Sequence, residues 1–128
     1  MSTTVTHDIR ITASSRFEPA QSDPIAGRFF FSYRITIANT GRDTVQLKRR
    51  RWLIHDALAA PREVEGPGVV GETPMLRPGQ EFTYTSACDL NSAYGRMEGR
   101  YTMLRLGDGV RFEVPIPDLH LLHPVAAN

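Results

Sequence analysis

The sequence predicts an all-β protein, a two-sheet antiparallel β-sandwich of seven to eight strands. Three observations lead to this prediction. Apolar and polar residues alternate at period two in at least three segments, turn residues recur at intervals of about a dozen residues, and no segment of any length has a helical period. With 128 residues, 41% of them hydrophobic and 23% charged, the chain has the size and composition of one globular domain.

The clearest predicted strand covers residues 28–38. Its odd-numbered positions from Phe29 to Ile37 are all apolar, whereas Ser32, Arg34 and Thr36 have the other parity. Five apolar residues on one face are typical of a strand that is buried on one side. The turn residues Asn39–Gly41 then end it.

A second strand is predicted over residues 44–56, with a change of phase inside it. Val45 and Leu47 share one parity, but Trp52 and Ile54 have the other. The switch falls across Lys48–Arg51, so we expect a β-bulge or a sharp twist there.

The remaining strands are shorter. Gly99 interrupts one of them and is predicted to mark a bulge or a close approach of two chains. Pro115 and Pro117 are expected to end the last strand, which would lie at a sheet edge. These strands are predicted over residues 9–13, 62–65, 82–88, 97–103 and 110–116. The predicted core contains Phe31, Tyr33, Ile35, Trp52, Tyr84, Tyr101 and Phe112.

A glycine motif supplies the candidate binding site. Gly66, Gly68 and Gly71 have the G-x-G-x-x-G spacing of dinucleotide-binding proteins, in which the glycines open a helix that receives the pyrophosphate. Here prolines follow at positions 74 and 78, so no long helix can start and the motif must lie in a loop between strands. Backbone N–H groups of this loop, with charge from Arg62 or Arg77, form a candidate anion site. The alternative is structural: the glycines serve positive φ angles and close backbone contacts at a β corner.

Other candidate sites have simpler structural interpretations. The basic run Lys48–Arg51 would place at most two side chains on one face of a strand, and we interpret it as a solvated strand edge rather than a phosphate-binding patch. Cys88 is interpreted as a small residue near a strand end. The sequence contains no recognised catalytic motif and no metal-ligand pattern, so we expect no catalytic residues, no bound metal and no cofactor.

The net charge limits the classes of partner that the sequence predicts, and the cysteine content indicates the cellular compartment. Fifteen basic and fourteen acidic residues give a net charge of +1, which predicts neither specific nucleic-acid binding nor attraction to an anionic membrane. No apolar run approaches the roughly 20 residues of a membrane span. A single cysteine cannot form an internal disulfide, so we expect a cytoplasmic protein.

An ordered series of motifs then resembles one known family. The series runs from Phe17–Pro24 and Phe29–Asn39 through Arg51–Ile54 to Gly66–Glu72 and Leu76–Gly79, and continues with Phe82–Ser86, Gly99–Met103 and Phe112–Pro117. This series is similar to the ApaG family over about residues 8–120. The chain departs from the family pattern after Asp56, where Ala57–Pro61 replaces an Asn-Gly-type hairpin, and after Ser86.

The resemblance implies a fibronectin type III-like (immunoglobulin-like) sandwich in a small bacterial protein. One ApaG domain would span residues 1–128, with flexible ends at 1–7 and 121–128. The family has an association with cobalt resistance and magnesium efflux, but no secure activity. We therefore expect a non-enzymatic binding or adaptor module with a protein partner. The alternative is a weak nucleotide or polyphosphate binder, whose phosphate-containing ligand would lie at Gly66–Gly71.

Overall fold

The fold is an antiparallel β-sandwich, as predicted, and a computed structural model describes residues 1–124 of it. One sheet has the order β1-β2-β3-β7, and the other has the order β5-β4-β8-β9 with β6 paired to β4. The strands are β1 Ser2–Thr6, β2 Ile9–Phe17, β3 Phe29–Asn39, β4 Val45–Asp56, β5 Ala59–Pro67, β6 Met75–Leu76, β7 Glu81–Leu90, β8 Tyr94–Arg105 and β9 Arg111–Leu122. No helix of the described chain is long and apolar enough to cross a membrane.

The structure contains nine strands in its described part, more than the seven or eight predicted. The two added strands are β1, formed from residues expected to be a flexible end, and β6, which is only two residues long. β1 pairs with β2 over five residues because a two-residue turn at His7–Asp8 folds it back, with both residues at positive φ. At the other end, residues 125–128 of the expected flexible segment lie outside the described residues.

The last strand is longer than the sequence indicated. We expected Pro115 and Pro117 to end it, but β9 continues to Leu122. Proline is tolerated there because β9 is an edge strand, so an N–H group on its outer side has no ladder partner to lose. Leu119 and Leu121 beyond the prolines are buried in the core.

The predicted core is confirmed. Six of its seven predicted members are buried, and the seventh, Phe112, is partly buried and packs against the others. The rings of Tyr33 and Trp52 meet edge to face with centroids 5.6 Å apart, so they join one sheet to the other. The hydroxyl groups of Tyr84 and Tyr101 form a second cross-sheet contact, a buried hydrogen bond.

Both predicted irregularities are present, and the one at Gly99 lies against Trp52. The pairing of β4 with β8 shifts register between Leu47 and Arg49, which is the bulge expected in the basic run. The pairing of β8 with β9 shifts at Gly99. A Cβ atom on Gly99 would lie 2.5 Å from the carbonyl oxygen of Arg51 and 2.7 Å from Cε3 of Trp52, so only glycine fits under the indole ring.

The glycine motif forms a tight corner between β5 and β6. Val69 and Glu72 exchange backbone hydrogen bonds of 2.8 and 2.9 Å, and the two residues between them have positive φ, +45° at Val70 and +80° at Gly71. Positive φ at both central positions is the signature of a type I′ turn. At Gly68, with φ +63°, a Cβ atom would lie 2.2 Å from the carbonyl oxygen of Glu72. The structural interpretation of these two glycines is thus supported.

The sandwich is closed along one side and open along the other. On the closed side, the Thr4 and Ser15 hydroxyls of β1 and β2 donate hydrogen bonds of 3.1 Å to the carbonyl oxygens of Pro115 and His120 in β9. On the opposite side, β7 ends one sheet and β5 ends the other. The gap between β5 and β7 is therefore the place where a ligand can reach the interior.

Replacing Gly99 by alanine should destabilise the protein by about 2 kcal/mol, because the new methyl group overlaps both a carbonyl oxygen and the indole ring. Urea unfolding measures the effect. Gly107→Ala is the control, since a Cβ there meets nothing within 4 Å and its φ is not positive. We expect the control to change stability by less than about 0.5 kcal/mol. Equal effects of the two variants would contradict the packing described for Trp52.

Replacing Val70 by asparagine should stabilise the protein by about 1 kcal/mol. A β-branched residue is strained at φ +45°, whereas Asn-Gly is the preferred pair in a type I′ turn. The midpoint of urea unfolding should rise without a change in slope. Val110→Asn serves as the control because Val110 has a similar exposure but no positive φ. A midpoint that stays unchanged or falls in Val70→Asn would argue against a strained turn.

Candidate functional site

The open side of the sandwich contains a cleft of about 280 Å³ between the two edge strands. One wall comes from β4 and β5, and the other from β3 and β7. Its polar lining groups belong to Tyr33, Arg50, Trp52, Arg62, Ser86, Cys88 and Asp89, and its apolar lining groups to Ile54, Val64, Ala87 and Met97.

Arg50 and Arg62 supply the positive charge of the cleft. In β5, Arg62, Val64 and Gly66 have the same parity, and Arg50 of β4 is paired with Gly66. Since Gly66 has no side chain, the guanidinium of Arg50 lies against it; a Cβ at Gly66 would be 3.2 Å from Nη1 of Arg50. Nη1 donates hydrogen bonds of 3.0 and 3.1 Å to the carbonyl oxygens of Pro67 and Gly68. The glycine corner thus holds an arginine inside the sandwich.

Arg62 bridges the mouth of the cleft to β7. Its Nη2 lies 3.5 Å from the Sγ of Cys88 and 3.3 Å from a carboxylate oxygen of Asp89, and it also donates to the Asp89 carbonyl oxygen. The Asp89 side chain is 76% exposed and that of Arg62 is 40% exposed. A solvent-exposed ion pair of this kind contributes little to stability, so it can open without a large cost.

Neutral donors line the β3–β7 wall. Burial raises the pKa of Tyr33, and a hydrogen bond with Ser86 offsets only part of that rise. Burial also raises the pKa of the Cys88 thiol, with partial compensation by the Arg62 guanidinium. The phenol and the thiol are therefore both protonated near neutral pH, and neither adds negative charge to the cleft.

The indole N–H of Trp52 is buried and has no hydrogen-bond partner within residues 1–124. An unsatisfied buried donor is uncommon because it costs about 1–3 kcal/mol. The Cε3 and Cδ2 atoms of the ring pack against Gly99 on β8, and Trp52 is one of the residues that line the cleft.

The five residues predicted to form an anion site do not converge. Arg62 lies four residues along β5 from Gly66, which is about 13 Å. Arg77 is exposed in the turn after β6, where its N–H binds the Gln80 side chain. Gly68 and Val69 already use their N–H groups within the fold, on Lys48 and Glu72. An anion site at the glycine loop itself stays a prediction, and of the five residues only Arg62 lines the cleft.

The basic run divides between the two faces of β4, as its alternation predicted. Arg49 and Arg51 point outward and form ion pairs of 3.3 and 3.2 Å with Glu65 and Glu63 of β5. Arg50 points inward. The prediction of a strand edge is wrong, however, because β4 lies between β5 and β8.

The histidines are separated in the structure. His55 lies 3.0 Å from Glu98, while its neighbour Asp56 accepts bonds from Ser92 and the N–H of Asn91. The ring of His123 packs at 4.5 Å from that of Phe17. In the part of the chain that the structure describes, no group of three or more His, Cys, Asp or Glu side chains could hold a metal ion.

Sequence reasoning missed three residues of the cleft: Tyr33, Arg50 and Trp52. Tyr33 and Trp52 were assigned to the core on their parity, and both are core residues, but their polar atoms were not considered. Arg50 was treated as part of a surface run. The available signal was the alternation itself, because Arg50 and Trp52 have the same parity and a side chain of that parity must point inward.

Comparison with known proteins agrees with this fold. The chain is 48% identical to Protein ApaG of Bradyrhizobium diazoefficiens over 120 residues, which cover 94% of this chain and 92% of that protein. It is 47% identical over 128 residues to Protein ApaG of Anaeromyxobacter dehalogenans strain 2CP-1, with both chains fully covered. The crystal structure of the ApaA protein from Bordetella pertussis superposes with a TM-score of 0.87 at 40% identity, covering 91% of this chain and 94% of that one.

A family model, described as the ApaG domain, matches residues 19–105. That match covers more than half of the chain, and it agrees with the near-complete coverage of the relatives. The chain therefore belongs to the ApaG family.

Proposed function

We propose that this ApaG domain is a non-enzymatic adaptor that binds a partner protein through the free edge of β7. The observation that carries the proposal is the length and regularity of this edge strand. β7 pairs with β3 through ten consecutive residue pairs, from Phe29 with Leu90 to Ala38 with Glu81, without any register shift. A long, regular edge strand offers a row of main-chain donors and acceptors to an added strand.

The other edges of the described sandwich are less suited to strand addition. β1 has only five residues, and β5 and β9 each contain two prolines. β7 has neither proline nor lysine, and its charged residues, Glu81 and Asp89, lie near its ends. Its outward side chains between them are Thr83, Thr85 and Ala87, which are exposed and uncharged. Proteins normally protect a long edge strand with charge, proline or a bulge. The absence of such protection in the middle of β7 therefore supports strand addition by a partner.

The neighbouring strand suggests the chemistry of the partner. Arg34 of β3 pairs with Thr85 and is exposed, and no carboxylate of the described chain lies within 4 Å of it. An acidic side chain of an added strand could reach this arginine across Thr85. We therefore propose an extended partner segment with an acidic residue at this position.

We propose that the family association with cobalt resistance and magnesium efflux arises from the partner protein. The adaptor itself would bind no metal and catalyse no reaction. It would work in the cytoplasm, which the single cysteine of the chain favours. The alternative, a nucleotide or polyphosphate site at Gly66–Gly71, has less support because the loop uses two of its amides internally.

A photocrosslinker tests the edge directly. p-Benzoylphenylalanine at position 85 should give discrete adducts with another protein in the native cell, and the same group at position 12 should give few. Position 12 is the matched control, since Thr12 lies on the same outer face but in an interior strand. Adding Thr83→Lys should suppress the adducts at position 85, because a lysine on the edge opposes strand addition. Thr36→Lys, one strand further in, should leave most of them.

Three results would contradict the proposal. They are equal crosslinking from positions 12 and 85, adducts at position 85 that persist unchanged in Thr83→Lys, and adducts whose mass is that of two copies of this chain. The last result would make the edge a self-association surface. Urea unfolding of each variant confirms that the fold is kept.

A further inference from the structure

We propose that the cleft between β5 and β7 binds a phosphate group through Arg50, Arg62 and the indole N–H of Trp52. The ligand is inorganic phosphate or the phosphoryl group of a larger molecule. Neither the glycine loop nor Thr83 and Thr85 of β7 line this site, although Ala87 and Asp89 of β7 do. The proposal therefore does not depend on the adaptor proposal.

The first argument is the donor that has no partner. Trp52 is 2% exposed, and its Nε1 makes no hydrogen bond within the described chain. Such a group is normally satisfied by a ligand or an ordered water, because the desolvation cost is otherwise not recovered. Trp52 lines the cleft, so an acceptor that enters from the open side is the proposed partner of this N–H group.

The second argument is charge. Arg50 is half-buried and binds only the carbonyl oxygens of Pro67 and Gly68, with no ion pair to a carboxylate of the described chain. Arg62 has the exposed carboxylate of Asp89 as its partner. Asp56, which does not line the cleft, also attracts Arg62, so Arg50 is the cation that is left without a carboxylate partner in the described chain. A phosphate group in the cleft, which both arginines line, would balance it with charge-assisted hydrogen bonds.

The third argument is that every other polar side chain around the cleft except Asp89 can donate. The phenol of Tyr33, the hydroxyl of Ser86 and the thiol of Cys88 are neutral donors; the first two share a hydrogen bond, and the thiol donates to the carbonyl oxygen of Asp89. A group with several acceptor oxygens suits such a set, as a phosphate does. Asp89 lies at the exposed mouth and can turn toward water when a ligand replaces it on Arg62.

Size limits the ligand. A cleft of about 280 Å³ is slightly smaller than the roughly 300–1,000 Å³ of sites that enclose a drug-sized molecule. A phosphoryl group fits inside it, and the rest of any larger ligand would have to lie outside, over the β5–β7 mouth. A site that encloses a whole nucleotide is therefore excluded from the proposal.

The single tryptophan of the chain makes a direct test available. The protein is labelled with ¹⁵N, and its one indole N–H resonance is followed by NMR while sodium phosphate is added at constant ionic strength against sodium chloride. We expect a saturable shift of this resonance with phosphate and none with chloride. An indole resonance that does not move at about 50 mM phosphate, far above the millimolar range of a weak site, would overturn the proposal.

Variants separate this cleft from other positive surfaces. Arg62→Gln should weaken phosphate binding about tenfold, because it removes one charge-assisted contact. Arg49→Gln is the matched control. Arg49 comes from the same basic run as Arg50, but it lies on the outer face of β4 and pairs with Glu65. It should bind phosphate like the wild type. Equal loss in both variants, or no loss in Arg62→Gln, would show that binding is not in the cleft.

A second ligand distinguishes the two sources of the phosphate group. O-phosphoserine is titrated in the same way as inorganic phosphate. If both shift the indole resonance, the site accepts a phosphoryl group of a larger molecule; if only inorganic phosphate does, the site is specific for the free ion. Either result supports the proposal. A shift with serine equal to that with O-phosphoserine would contradict it. Because the wild-type titration decides the main point, a poorly folded variant does not remove the test.

Discussion

The packing of Trp52 on Gly99 is the contact on which the second sheet depends. The indole lies over a residue without a side chain, and the register of β8 against β9 shifts at that residue. The ring then meets Tyr33 of the opposite sheet edge to face. Trp52 therefore packs β4 beside β8 and also joins the two sheets. The indole N–H of the same residue is buried and has no hydrogen-bond partner in the described chain.

The glycine motif has a structural purpose that its dinucleotide-like spacing does not suggest. Each of its three glycines is needed for a different structural reason. Gly66 leaves space for the guanidinium of Arg50, Gly68 approaches the carbonyl of Glu72, and Gly71 takes a positive φ in a type I′ turn. The carbonyl oxygens that this corner turns inward bind Arg50. The motif thus presents acceptors to a cation rather than donors to an anion, and the cation in turn charges the cleft.

The two sides of the sandwich differ in a way that bears on function. The side formed by β1, β2 and β9 is joined by hydrogen bonds between the sheets, whereas β5 and β7 flank a cleft whose mouth Arg62 bridges. Every feature that supports a binding role lies on this open side. A straight edge is available for a partner strand, and the adjoining cleft combines two arginines with a buried N–H donor. Members of the ApaG family therefore offer a clear region to test.

The sequence by itself determined the fold class, the core parity, the bulge in the basic run and the special position of Gly99. These features follow from local rules, since alternation at period two assigns faces and glycine marks close contacts. Tertiary structure decided which strands are edges, so β4 became an interior strand and β9 could continue past its prolines. It also decided the candidate site. Arg50 and Trp52 share a face with Arg62 because β4 pairs with β5, and Tyr33 joins them only because the two sheets pack face to face. No sequence period records which strands pair or which residues meet across a core.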